Sequence, residues 1–182
     1  MPVDPFPVPA GEPKHQRVLS QRFQLSVALP DRPGWLLVRD NGSFLVMDHA
    51  ATRSRLIARI WQEGENMSRQ RCEEVTRLIR DVPRADRVID ERIVEVPAGF
   101  DTAVTVGFSS PASSATSTSE GGAIAGHVQA FGASARWCFA FAYTTEAEGP
   151  DAERTVGDRL AVIQGLTLEG MERRLSTDID AR

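Results

Sequence analysis

Lysine is almost absent from this sequence, in which Lys14 is the only lysine among 21 lysine and arginine residues. Two explanations are open for this skew: genomic base composition, or selection for the fork-like recognition of carboxylates and phosphates that arginine provides. The net charge of −4 comes from 25 acidic and 21 basic residues mixed along the chain. No strong positive field would therefore attract nucleic acid, and we expect no nucleic-acid partner.

Cysteine and long apolar runs are also scarce. The two cysteines, Cys72 and Cys138, lie far apart without a C-x-x-C spacing, which argues against a zinc site or a thioredoxin-like redox motif. No apolar run approaches the ~20 residues that are needed to cross a bilayer, so we expect no membrane span. Because residues 1–20 show no secretory signal, the sequence as written predicts a cytoplasmic protein. An exported protein is the alternative if a signal has been removed.

Signatures of catalysis are missing as well. The three histidines, His15, His49 and His127, do not show the spacing of a metal site, so we predict no metal and no cofactor. Asp48 and His49 could form a base beside a serine nucleophile, but the sequence contains no G-x-S-x-G motif. We therefore predict no catalytic residue, and a small hydrolase is the alternative from another functional class.

The pattern along the chain predicts one domain with two tails. Residues 1–20 carry five prolines and are predicted to form a flexible arm, because proline lacks the N–H and the free φ of a helix or central strand. Residues 21–168 are predicted to form a single α+β domain. Within this domain the Ser, Ala and Thr residues of 109–120 predict a flexible loop. Residues 169–182 form a charged tail, either a frayed helix or disorder.

Alternating and continuous apolar patterns predict the strands, and Asn41-Gly42 predicts a hairpin turn between the second and the third. The predicted strands cover residues 23–29, 35–39, 43–47, 54–62, 86–97 and 101–108, with a hairpin over 121–145 and a short edge strand at 166–168. A first helix should begin at Asn66 or Ser68 and end by Val82, before Pro83. Its apolar stripe would be Met67, Cys72, Val75, Leu78 and Ile79, with Glu73 and Arg77 paired on the wet side. A second helix should run from Pro150 to Gly165.

The hairpin over 121–145 has two chemically different faces. Cys138, Ala140 and Ala142 share the face that a helix could approach closely, since their side chains are small. We expect the first helix to lie there, so that Cys72 and Cys138 meet. Both a disulfide and a pair of adjacent buried thiols are compatible with this placement.

The other face suggests a surface for a partner. If Gly132-Ala133-Ser134 forms a three-residue turn, Gln129 faces Trp137 and His127 faces Phe139 on one side of the sheet. His127, Gln129, Trp137 and Phe139 are therefore our candidate partner-binding residues. In the alternative interpretation the second helix covers the aromatic rings and leaves His127 at the rim.

The order of elements predicts an α+β fold, an antiparallel β-sheet flanked by helices. The opening Phe23-Gln24-Leu25-Ser26-Val27-Ala28-Leu29-Pro30, followed by Gly34-Trp35, resembles the PsbP-like superfamily, which includes photosystem subunits, DcrB-type bacterial proteins and EagR effector chaperones. The resemblance covers about residues 23–168. It implies an α/β/α sandwich that serves as a non-catalytic binding, adaptor or chaperone scaffold, with another protein or a peptide segment as its partner. An exported accessory subunit or small-ligand binder of the same fold is the alternative.

Overall fold

Ten strands and two α-helices make up the described part of the computed structural model, which covers residues 16–20, 22–31, 33–38, 43–111 and 122–173. The strands are β1 (Gln16–Ser20), β2 (Leu25–Leu29), β3 (Trp35–Leu37), β4 (Leu45–His49), β5 (Ser54–Gln62), β6 (Arg87–Glu95), β7 (Asp101–Ser109), β8 (Ile124–Ser134), β9 (Trp137–Ala147) and β10 (Glu172–Arg173). Helix α1 spans Arg69–Ile79, and α2 spans Ala152–Val162. A π-helical segment, Ile163–Leu168, follows α2 directly.

The strands form two antiparallel sheets. The main sheet has seven strands in the order β3-β4-β5-β9-β8-β7-β6, and a small sheet has the order β1-β2-β10. Helix α1 packs on one face of the main sheet, which we call the α1 face, against β8 and β9. Helix α2 and the small sheet pack on the opposite face, the α2 face. The predicted α+β class, with an antiparallel sheet flanked by helices, is thus confirmed, while membership of the PsbP-like superfamily stays a prediction.

The hairpin of β8 and β9 lies at the centre of the main sheet because both of its faces are apolar. Phe139, Phe141 and Tyr143 are buried in the core on the α2 face. On the α1 face the small residues Cys138 and Ala140 belong to a second core. Small side chains permit a close approach of the helix, and the prediction that α1 covers this face is confirmed.

Helix α1 turns out to be rotated relative to its predicted apolar stripe. Its N-terminus is capped as expected, since the Ser68 hydroxyl accepts a hydrogen bond from the Arg71 N–H. The buried residues of the helix are Cys72 and Thr76, however, whereas Leu78 is 83% exposed. Residues two apart differ by about 200° around a helix, so orienting Thr76 towards the sheet places Leu78 towards solvent.

The N-terminal prediction needs two corrections. The predicted flexible arm ends earlier, since Gln16–Ser20 forms β1 and pairs with β2; residues 1–15 lie outside the described residues. The predicted half-wet strand β2 is buried along its whole length. It is the central strand of the small sheet, and the π-helical segment also packs on it, with the Thr167 hydroxyl donating to the Ala28 carbonyl at 2.7 Å.

Further corrections concern the loops and the end of the chain. Strand β3 pairs with β4 as predicted, but β4 continues through Asp48 and His49, which were expected in a loop; the Asn41-Gly42 turn lies outside the described residues. The predicted strand at 166–168 is π-helical, and the helix does not end at Gly165. Strand β10, at Glu172–Arg173, pairs with β2 within the predicted tail. Of the predicted loop 109–120, Ser109 ends β7, and residues 112–120 are outside the described part.

Candidate functional site

A disulfide bond holds α1 on the main sheet. It joins Cys72, at the inner side of the helix, to Cys138 near the start of β9, with a Cα–Cα distance of 5.5 Å. Both cysteines are fully buried. Of the two alternatives that the sequence leaves open, the structure therefore contains the disulfide rather than adjacent thiols.

A groove lies beside α1 because the helix covers the centre of the sheet and leaves its outer strands open. The groove has a volume of about 410 Å³. One wall is α1, the opposite wall is β6, and the floor is formed by β7 and β8. The lining residues are Arg69, Gln70, Glu73, Arg77, Arg84, Ala85, Val88, Glu91, Ala103, Thr105, Gln129 and Phe131. We call this feature the α1–β6 groove.

Arg77 organises the floor of the α1–β6 groove. Its guanidinium donates to Glu73 Oε1 at 2.8 Å and to Gln129 Oε1 at 2.8 Å, and it lies 5.4 Å from the centre of the Phe131 ring. The Gln129 amide nitrogen in turn donates to the Pro83 carbonyl. These contacts fix both polar side chains before any ligand arrives, so ordering them would cost little on binding.

The rim of the α1–β6 groove carries the cations that a ligand could reach. Arg84 has a side chain that is 75% exposed, and its nearest acidic atom is Glu73 Oε1, at 3.9 Å. Glu73 is engaged more closely by Arg77. Arg69 contacts Asp101 at 2.7 Å and remains partly exposed. Asp101 neutralises Arg69 and Glu73 neutralises Arg77, so the exposed guanidinium of Arg84 is the cation that suits a carboxylate.

His127 lies on the α1 face of β8 and contacts the last residue of β7. Its Nε2 atom is 2.5 Å from the Ser109 hydroxyl, and the residue is only 3% exposed. Burial lowers the pKa of His127 below its ordinary value, against the opposing charge of Asp86. The imidazole is therefore neutral at pH 7 and can accept the hydroxyl proton of Ser109 in a hydrogen bond.

The contact between Ser109 and His127 lacks the third member of a catalytic triad. The Nδ1 atom of His127 is buried without a hydrogen-bond partner in the described structure, so no carboxylate orients the ring. Ser109 lines a shallow groove of about 210 Å³ together with Asp86, Ser110 and their neighbours. The arrangement provides a serine and a base, but no orienting group for the base.

The four candidate partner-binding residues do not share one face. The predicted three-residue turn does not form; Ser134 pairs with Trp137, and the turn consists of Ala135 and Arg136. The residue opposite Trp137 is thus Ser134 rather than Gln129. Because this shift is an odd number of positions, the side chains of β8 lie on the opposite face of the sheet from the one that was expected relative to β9. His127 and Gln129 lie on the α1 face, opposite Thr144 and Ala142, whereas Trp137 and Phe139 lie on the α2 face.

These placements change what each candidate can do. Phe139 is fully buried, and Trp137 is partly buried with the Arg173 guanidinium 4.2 Å from its ring centre. The aromatic rings are covered, but their contacts are with Phe100 and Arg173 rather than with the second helix, and His127 is buried on the other face rather than at the rim. Gln129 belongs to the floor of the α1–β6 groove, so it is the candidate that the structure places in a cleft.

Asp48 and His49 do not form the base that their adjacency suggested. Successive strand residues point to opposite faces. The Asp48 carboxylate binds Arg55 through two hydrogen bonds of 2.7 Å, while His49 Nδ1 contacts the Thr52 hydroxyl at 2.8 Å. Both side chains have structural partners and neither faces the other.

Sequence reasoning missed the importance of Arg77. It placed Glu73 and Arg77 on the wet side of α1, and the i,i+4 pair does form. The Arg77 side chain is only 17% exposed, however, since the rotation of the helix directs it over Phe131. No sequence motif identifies Arg84, because its position at the rim of the groove depends on the path of the chain after α1. In the described residues, no group of three or more His, Cys, Asp or Glu side chains could hold a metal ion.

Comparisons with known proteins identify structural neighbours of this chain. No protein-family model and no curated protein matches the chain. Among solved structures, the chain is similar to a protein from Bacteroides thetaiotaomicron VPI-5482, whose crystal structure was determined at 1.50 Å resolution. The TM-score is 0.49, the sequence identity is 9%, and the match covers 91% of this chain. This chain spans 50% of the length of that protein.

Proposed function

We propose that this chain is a non-catalytic binding domain that holds an extended, acidic segment of another protein in the α1–β6 groove. The observation that supports it most is the preformed polar floor of Arg77 and Gln129 beneath an arginine rim. The volume of about 410 Å³ is within the range of ~300–1,000 Å³ that is usual for ligand sites. The PsbP-like resemblance supports the same kind of function, since it implies a binding scaffold.

The expected ligand follows from the charges. A carboxylate of the bound segment would pair with Arg84, the exposed cation of the rim, while the floor offers the fixed polar side chains of Arg77 and Gln129 beside the Phe131 ring. The floor residues Ala103 and Thr105 are small, so an extended backbone could lie over them. An adaptor or chaperone that recognises an acidic linear segment fits these features.

A displayed library of random linear peptides tests this proposal. We expect enrichment of sequences with Asp or Glu, and we expect Arg84→Glu to weaken the best of them at least about tenfold, equivalent to ~1.4 kcal/mol. Arg154→Glu is the matched control, because its side chain is 74% exposed and lies on α2, away from the groove. If no acidic sequence is enriched, or if Arg84→Glu binds as tightly as Arg154→Glu, the proposal is wrong.

The Cys72–Cys138 disulfide supports export as the site of action, because structural disulfides persist mainly in oxidising compartments. The sequence as written predicts the cytoplasm, with export as the alternative, and because of the disulfide we now propose export. Among the described residues, no helix is long and apolar enough to cross a membrane.

The contact of Ser109 with His127 favours a second candidate, a small serine hydrolase. A fluorophosphonate probe distinguishes the two candidates, because it modifies serines that an adjacent base activates. The binding proposal expects no labelling of the native protein at Ser109. Labelling that is lost in Ser109→Ala, together with ester hydrolysis that is lost in the same variant, would instead establish the hydrolase.

A further inference from the structure

Strand β6 leaves an unpaired edge at one end of the main sheet. It has nine residues, and within the described part of the chain no strand pairs with its outer side. Three β-branched apolar residues of this strand are exposed: Val88 at 48%, Ile89 at 53% and Ile93 at 57%. Natural proteins avoid long exposed apolar edges unless something pairs with them.

The sequence of β6 is complementary to itself in the antiparallel direction. It reads Arg-Val-Ile-Asp-Glu-Arg-Ile-Val-Glu from Arg87 to Glu95. When two copies are aligned antiparallel about Glu91, Asp90 of one copy faces Arg92 of the other. In the linear alignment Arg87 is also opposite Glu95, and the apolar residues between them are opposite apolar residues. A two-fold axis at Glu91 forms each of these pairs twice, so only Glu91 faces a like charge, its own symmetry mate.

Neighbouring registers lose this complementarity. Centring the pairing one residue later sets Arg92 opposite Arg92, and one residue earlier sets Asp90 opposite Asp90. Centring it on Ile93 sets Glu91 opposite Glu95 twice. Directly opposed like charges destabilise strand pairing, so the register about Glu91 is favoured over these alternatives.

The observed faces of β6 are compatible with that register from Asp90 onwards. Asp90 and Arg92 pair with Val106 and Val104 and therefore share the α2 face, as two residues that meet across a two-fold axis must. A β-bulge between Val88 and Asp90 makes Ile89 the extra residue. The regular ladder runs from Asp90 to Glu95, which includes the central charge pairs and Ile93. The bulge places Arg87 on the α2 face, beside Glu153, whereas Glu95 lies on the α1 face, opposite Asp101, so these two residues do not face each other. The register therefore rests on the two Asp90–Arg92 pairs.

We propose that this chain forms a symmetric homodimer in which the β6 strands of two copies pair antiparallel about Glu91. The two seven-stranded sheets would join into one continuous sheet. Isologous pairing of this kind closes on itself and leaves no unpaired β6 edge. Because the sheet is continuous, the two α1–β6 grooves would lie side by side on the same face. The dimer does not depend on what the grooves bind.

Charge-swap variants and mass measurement test the dimer. We expect multi-angle light scattering and sedimentation velocity to give twice the chain mass for the wild-type protein. Asp90→Arg and Arg92→Asp should each raise the dimer dissociation constant at least about tenfold, because the two-fold axis doubles every change. Circular dichroism checks that both variants are folded, and Arg154→Glu, on α2, should keep the wild-type mass.

Mixing the two variants is the decisive step. The Asp90→Arg copy carries arginine at positions 90 and 92, and the Arg92→Asp copy carries aspartate at both, so the two cross-strand pairs between these positions are attractive in a mixed dimer. Equimolar Asp90→Arg and Arg92→Asp should therefore form heterodimers. The ion pair between Arg92 and Asp90 within one wild-type chain cannot explain such recovery of dimerisation, because mixing does not restore that pair in either variant. A monomeric wild-type protein at the highest soluble concentration, or single variants that dimerise like the wild type, would overturn the proposal. So would a mixture that stays monomeric.

Discussion

Removing the Cys72–Cys138 disulfide should strongly destabilise the protein. The bond closes a loop with a sequence separation of 66 residues, which constrains the unfolded chain and leaves the folded chain as it is. For a loop of this length the chain-entropy relation gives a loss of about 4 kcal/mol in the free energy of unfolding. That loss is a large fraction of the ~5–15 kcal/mol by which domains are usually stable.

The assay is urea-induced unfolding followed by tryptophan fluorescence, with and without a phosphine reductant. Reduction should lower the unfolding free energy of the wild type by roughly 3–5 kcal/mol. The control is the double variant Cys72→Ala with Cys138→Ala, which should be unstable from the start and insensitive to the reductant. Counting thiols on unfolded, unreduced protein should give none.

Two results would refute this reasoning. Two free thiols in the unreduced protein would show that no disulfide forms in solution. A bonded protein whose stability changes by less than about 1 kcal/mol on reduction would show that other contacts of α1 already restrict the unfolded chain.

The remaining predictions concern a buried histidine and two glycines. Because burial lowers the pKa of His127, its neutral form stabilises the fold above the unfolded pKa of about 6.5, and this contribution is lost as the pH falls through the lower folded pKa. Between the folded and the unfolded pKa of His127, the unfolding free energy should fall by up to ~1.4 kcal/mol for each unit by which the pH is lowered. In urea titrations the unfolding free energy of His127→Gln should depend less steeply on pH. An equally steep pH dependence in the variant would contradict the lowered pKa of His127. Gly126→Ala should cost about 1–3 kcal/mol, because the new methyl group would overlap Val156 of α2. Gly157→Ala, which meets nothing within 4 Å, should stabilise α2 by up to ~1 kcal/mol, so equal thermal melts for these two variants would refute the packing argument.

Local patterns were enough to predict those elements whose signals lie within a few residues. Ser68 and Pro83 bracket α1, and β5 begins and ends where its apolar pattern does. The small residues of β9 also identified the face on which α1 packs. Caps, prolines and side-chain size act on their immediate neighbours, so such features can be recognised without the fold.

Pairing over long distances could not be predicted in the same way. Strand β1 was hidden by the preceding prolines, and β10 forms only because β2, from a much earlier part of the chain, offers an edge on which Glu172 pairs with Ser26. The π-helical segment continues through Gly165 because it packs on β2, although glycine usually weakens a helix. In each case a tertiary contact overrides a local preference.

The candidate site shows the same division. The alternation of residue types in the sequence by itself determined that β9 has one aromatic face and one small-residue face. Because α1 was expected to pack on the small-residue face, the sequence also predicted that Cys72 and Cys138 meet. Only the tertiary structure decided which residues of β8 share those faces, since the position of a two-residue turn sets the register and an odd shift exchanges the faces. It also decided that α1 directs Arg77 over Phe131 towards Gln129, because the rotation of a helix is set by what it packs against, and that rotation forms the floor of the α1–β6 groove.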